Sequence, residues 1–166
     1  MAIEQKVFEA GFARERLRIV YPARRCQDKM VMEAVYGAAG VKRGVFSGRP
    51  GENIRKACAH LRARGAEVIV SAITELPLIE RRYFPAENYL DCNEAIGRAL
   101  VSAAHSTFPR GEKYGVIGII GGLGPAATVD LFDKIVKHTP ARRDQDHIRV
   151  VIENNPHVPD RTAALQ

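Results

Sequence analysis

The stretch that decides the fold is Gly115-Val-Ile-Gly-Ile-Ile-Gly-Gly-Leu-Gly-Pro125, followed by a helical run, by Ile148-Arg-Val-Val-Ile152, and by Asn154-Asn-Pro-His-Val-Pro-Asp-Arg-Thr162. Val116 to Ile120 is a continuous apolar run and reads as a buried strand. Glycines follow, and then Pro125 at a first helical turn, where its missing N–H costs nothing. Pro125 to Lys137 reads as a helix and Ile148 to Ile152 as a second strand. Strand, turn, helix and strand in that order make a parallel α/β unit. Ligands of open parallel sheets sit beyond the carboxyl ends of the strands. The glycine turn and the polar loop after Ile152 both fall there.

Upstream the same alternation continues. Residues 2–14 read as the end of a helix, with Ile3, Val7 and Phe8 at helical spacing and Gly11 near the stop. Leu17 to Tyr21 alternates and meets Pro22, which predicts a short strand. Asp28 to Ala39 is predicted helical and Gly44 to Gly51 a loop. Glu52 to Arg64 is an amphipathic helix with Ile54, Ala57, Cys58 and Leu61 inward, stopped by Gly65. Glu67 to Ala72 reads as a buried strand, with a short helix near Pro77, a brief strand at Tyr89 to Asp91, and a helix from about Asn93 to Ala104. Pro109, Gly111 and several charges mark residues 107–115 as a linker. The predicted class is α/β, with parallel β-sheets flanked by helices, as two partial lobes.

Composition narrows the function classes. Hydrophobic residues make up 46% and charged residues 27% of 166, a globular balance. No run of roughly 18 apolar residues occurs, so no membrane span is expected. The polar N-terminus lacks the apolar core of a signal peptide, and the expected compartment is cytoplasmic. The formal charge of +6 comes largely from Arg14 to Arg25, Arg62 to Arg82 and Lys134 to Arg149. These charges alternate with acids and lack interleaved aromatics, so they read as solvated helix faces and no nucleic-acid partner is expected. Cys26, Cys58 and Cys92 are odd in number and widely spaced, which suggests neither a disulfide framework nor a metal site.

Two loops carry candidate chemistry. A glycine turn at a helix N-terminus offers free N–H donors and a partial positive charge to an anion. Read alone, Gly118-Ile-Ile-Gly-Gly-Leu-Gly124 serves equally as a carboxylate- or phosphate-binding turn and as a tight connection. Its spacing does not fit the dinucleotide pattern G-x-G-x-x-G, since Ile120 or Ala127 stands where glycine is needed. In the second loop Asn155, Arg161 and Thr162 fall where ligand groups belong, and arginine presents a planar fork to a carboxylate. The plainer alternative is a solvated turn with Asp160 and Arg161 paired locally.

The order of short motifs adds a resemblance. Ile117 to Phe132, Thr139 to His147, Asn154-Asn-Pro156 and Pro159-Asp-Arg-Thr162 resemble the N-terminal segment of the aspartate/glutamate racemase family. Ala66-Glu-Val-Ile-Val-Ser-Ala-Ile-Thr-Glu-Leu-Pro-Leu78 is similar to the family's C-terminal strand and its Gly-Cys-Thr-Glu-Leu-Pro-Leu turn. Tyr21-Pro22, Gln27-Asp28, Val35-Tyr36 and Lys42 precede it in the family's order, and Tyr89 to Glu94 resembles the closing strand and helix start. Residues 1–106 thus resemble the C-terminal half of one racemase unit and residues 116–166 the N-terminal half of another, joined by the linker 107–115.

The resemblance implies pseudo-symmetric α/β lobes, no cofactor, no metal, and an acidic amino acid, aspartate or glutamate, as the small-molecule partner. It also implies two cysteines on opposite faces of the substrate α-carbon, one removing the proton as thiolate and one returning a proton. Ile73 occupies one of those thiol positions, and isoleucine has no proton to exchange. The other is expected in a Cys-Asn-Thr segment lying beyond Gln166. No catalytic residue is therefore expected within this chain. The residues matching the family's substrate-holding positions are Arg161 and Lys42, each toward a carboxylate, with Thr74, Asn155, Gly124 and Thr162 around the site. A rival expectation is a non-catalytic module that binds dicarboxylates or forms oligomers, and a weaker one is nucleotide binding at the glycine turn. Half-units leave a sheet edge uncovered, so the expectation includes a homo-oligomer.

Overall fold

A computed structural model describes residues 7–12, 15, 17–106 and 115–158. The chain packs as two compact units, Met1–Ile69 with Arg81–Tyr89, and Val70–Glu80 with Leu90–Gln166. This division by packing is a different one from the division by resemblance, whose linker at 107–115 lies, but for Gly115, outside the described residues. The predicted class is the observed one: helices flank two small parallel sheets, β1 (Ile69–Ser71) with β2 (Tyr89–Asp91), and β3 (Val116–Gly121) with β4 (Arg149–Asn154).

The first unit is mainly helical. α1 (Val7–Phe12) runs through Gly11, and a helical run follows as α2 (Arg24–Cys26), a π segment (Gln27–Met32) and α3 (Glu33–Tyr36). The helix predicted from Asp28 thus begins four residues earlier and contains a π insertion. α4 (Arg49–Ala63) carries Pro50 in its first turn, which lets the helix start within the predicted loop. It ends where expected, with Gly65 at φ +86°, a left-handed conformation that β-carbon-bearing residues resist. Val31, Ala34, Val35, Val41, Ile54, Ala57 and Cys58 form the buried side. Tyr83 seals the start of α4, its hydroxyl accepting the Gly48 N–H at 2.9 Å.

The strand predicted at Leu17 to Tyr21 is a correction: residues 17–23 are irregular. A strand needs a ladder, and among the described residues β1 pairs with β2 alone. Leu17 is exposed, and Tyr21 is held by its side chain instead, donating its hydroxyl to Glu9 Oε2 at 2.6 Å.

The second unit contains the deciding stretch. β3 and β4 pair in parallel, Ile117 opposite Val150, Ile119 opposite Ile152 and Gly121 opposite Asn154. α6 (Pro125–His138) joins them as a crossover, and α5 (Cys92–Ser106) packs along it. Val101, Ala104, Ile117, Ile119, Ile135 and Ile148 form one core cluster. Strand alternation places Ile117 and Ile119 inward and leaves Val116 and Ile120 outward, with Ile120 95% exposed.

Candidate functional site

β3 delivers the glycine turn to its own carboxyl end, and β4 delivers Asn154 and Asn155 beside it. The Asn155 N–H donates to the Gly121 carbonyl at 3.1 Å, which carries the ladder one residue past the strand. Gly122 is held at φ +143°, and a Cβ there would lie 2.1 Å from the Asn155 carbonyl oxygen. Only glycine fits that approach. At the start of α6, Gly124 is the N-cap residue and Pro125 follows it.

The turn Ile73-Thr74-Glu75 lies in the same unit. Glu75 is only 6% exposed, and its Oε1 lies 3.1 Å from where a Gly124 Cβ would stand. Thr74 donates its hydroxyl to Glu75 Oε2 at 3.1 Å. A buried network anchors this turn. Asn93, 1% exposed, donates its Nδ2 to the Thr74 carbonyl at 3.0 Å and to Asp130 Oδ2 at 2.7 Å. Lys134 Nζ reaches Asp130 Oδ2 and Asp91 Oδ2, each at 2.6 Å. Asp91 also caps α5, its Oδ1 accepting the N–H groups of Asn93 at 2.8 Å and Glu94 at 3.2 Å. Burial works to lower the Lys134 pKa, but the hydrogen bonds from Asp130 and Asp91 prevail and raise it. The ammonium is therefore firmly charged, as two half-buried carboxylates require.

The structure thus brings three of the expected site residues, Thr74, Gly124 and Asn155, into one unit. Glu75 links the first two, and Gly122 abuts the third. Lys42 belongs to the other unit, on the 3₁₀ turn Val41–Arg43, with its Nζ 5.4 Å from the Tyr36 ring centroid. Arg161 and Thr162 lie outside the described residues. Ile73 is half-buried at the start of its turn, and its carbonyl accepts the Leu76 N–H at 3.0 Å.

Glu75, Asn93, Asp130 and Lys134 were not singled out by sequence. Glu75 lies within the Ala66–Leu78 motif, and Asp130 and Lys134 are four apart on a helix, the spacing of an ion pair. Their joint signal is visible in the sequence. Their connection to Thr74 through Asn93 spans 19 and 37 residues and is not.

None of the three thiols is poised as a base. Burial raises Cys58 to about 11, and burial likewise raises Cys26 and Cys92 above the ordinary thiol value. The arginines beside Cys26 suggest a lowered value from sequence; burial decides otherwise. Cys92 is the first residue of α5. Among the described residues no group of His, Cys, Asp and Glu is arranged to hold a metal ion, and no helix is long and apolar enough to cross a membrane. Neither the known family models nor the solved structures compared with this chain match it.

Proposed function

We propose that the chain is a relative of the aspartate/glutamate racemases that holds an acidic amino acid and does not itself perform two-thiol proton exchange. The observation that supports this reading is the meeting of the glycine turn, Asn155 and the Thr74–Glu75 turn at the carboxyl end of β3 and β4. These are three separate motifs of the resemblance, distant in sequence. The partial positive charge of the α6 N-terminus and the side-chain amide of Asn155 favour a ligand carboxylate. The Glu75 carboxylate against Gly124 favours a ligand that also brings an ammonium group. Together they suit the zwitterionic end of an amino acid better than a bare dicarboxylate. Against racemisation stand Ile73 at the expected thiol position and three native thiols raised by burial.

Thermal unfolding with aspartate, glutamate and succinate tests the binding. Saturation at 100 times Kd stabilises by about 2.7 kcal/mol. Aspartate or glutamate should stabilise the chain more than succinate, and Glu75→Gln should narrow that difference. If none of the three shifts the transition, the reading fails. Deuterium exchange at the amino-acid α-carbon in heavy water tests the chemistry, and exchange by this chain would overturn the absence of turnover.

A further inference from the structure

The open side of β4 carries a pattern that fits its own copy. Among the described residues β4 pairs with β3 alone, so no described strand takes up the backbone N–H and C=O groups of its other edge. The strand reads Arg149-Val-Val-Ile-Glu153, with Val151 50% exposed at its centre. An antiparallel copy aligned on Val151 places Arg149 opposite Glu153 of the second copy, and Glu153 opposite its Arg149. Val150 then faces Ile152, Ile152 faces Val150, and Val151 meets Val151 on the axis. From Arg149 to Glu153 each cross-strand pair is either opposite in charge or apolar on both sides, which is what stabilises adjacent strands. A one-residue slip would part Arg149 from Glu153 at both ends of the pairing.

The helix above the strand supports the same arrangement. α6 turns Val129, Phe132 and Val136, spaced three and four apart, toward solvent, and Val129 is 66% exposed. Val129 and Phe132 line an open apolar groove with Pro125, Thr128, Ile152 and Asn154, along β4. A twofold axis perpendicular to the sheet keeps both α6 helices on one face. It brings the second copy's β4 and its α6 stripe to this groove. An isologous interface of this kind needs one patch that complements itself, and the charge order of β4 supplies it.

We propose that two copies of this chain associate through antiparallel pairing of their β4 strands, forming a continuous four-stranded sheet with the exposed α6 stripes meeting over it. The test is sedimentation velocity on the full chain over a range of concentrations. The native chain should show a reversible dimer. Arg149→Glu sets Glu against Glu at both ends of the pairing and should weaken the dimer by at least about tenfold. Adding Glu153→Arg to that variant restores opposite charges and should restore the dimer, which also separates lost association from lost folding. A native chain that stays monomeric at all concentrations overturns the proposal. A dimer indifferent to Arg149→Glu, or one that the double variant fails to restore, overturns it as well.

Discussion

At the residue scale, the site rests on small differences in side-chain chemistry at fixed backbone positions. Ile73 is one of them. A β-branched hydrocarbon neither accepts nor returns a proton, so under the racemase-like reading proposed above Ile73 cannot take the part of a thiol. Ile73→Cys makes this measurable. If the turn retains the geometry of a proton-abstracting site, the new thiol should titrate below about 8.5, the value of a free cysteine. Glu75, two residues on and buried, pulls in the opposite direction. A raised value, read from the pH dependence of alkylation, would count against the racemase-like reading of this turn. Gly122 is the other position where one atom decides. Its positive φ and the adjacent Asn155 carbonyl bind the two loops into one edge.

At the scale of elements, α5 and α6 are joined by polar contacts as well as by their core. Lys134 neutralises Asp91 at the start of α5 and Asp130 on its own helix. Lys134→Ala would leave two half-buried carboxylates facing each other, and removing one partner of a buried pair costs about 3 kcal/mol or more. The denaturant midpoint should fall accordingly, and a change within error would show the network to be dispensable. Further along, Glu94 Oε1 meets His138 Nε2 at 2.6 Å and Arg98 at 3.0 Å. Burial tends to raise the Glu94 pKa, but Arg98 and His138 outweigh it and hold the carboxyl below its ordinary value of 4.5. A carboxyl lowered in the folded state contributes stability above its unfolded value and loses it as pH falls through the folded one. Below about pH 4.5 the native chain should therefore lose stability more steeply than Glu94→Gln. Equal slopes in acid denaturation would show that this pair contributes nothing.

At the scale of the whole molecule, the chain packs as two units, and the proposed dimer would act on the second of them. Each sheet has only two strands among the described residues, whereas parallel sheets ordinarily have both faces covered. Val116, Ile120 and Val151 lie bare on the outer face of β3 and β4. Pairing through β4 would double that sheet and make the unfolding temperature rise with protein concentration, as mass action requires of a dimer. Charge at Arg149 and Glu153 would then select register, while the α6 stripe supplies the apolar area.

The sequence by itself determined the order of the elements. Helix stops at Gly65, the strand at Tyr89–Asp91, and the strand, turn and helix from Val116 through His138 follow from local periodicity and from the backbone freedom of Gly and Pro. These depend on neighbours a few residues away, so they are legible in one dimension. The failed strand at Leu17 to Tyr21 marks the limit, since alternation suggests a strand but only a partner at hydrogen-bonding distance makes one. The π segment leaves no mark in the sequence, because Val31, Ala34 and Val35 keep the three- and four-residue spacing of an ordinary helix across its end. In the site, Gly124, Thr74 and Asn155 were named from motifs, but their meeting, and the roles of Glu75 and of the Asn93, Asp130 and Lys134 network, depended on packing across the unit. Thiol reactivity was likewise decided only by tertiary structure, because burial outweighs the charges that flank Cys26 in sequence. Local conformation is set by short-range sterics, whereas desolvation and long-range hydrogen bonding exist only once the chain has closed on itself.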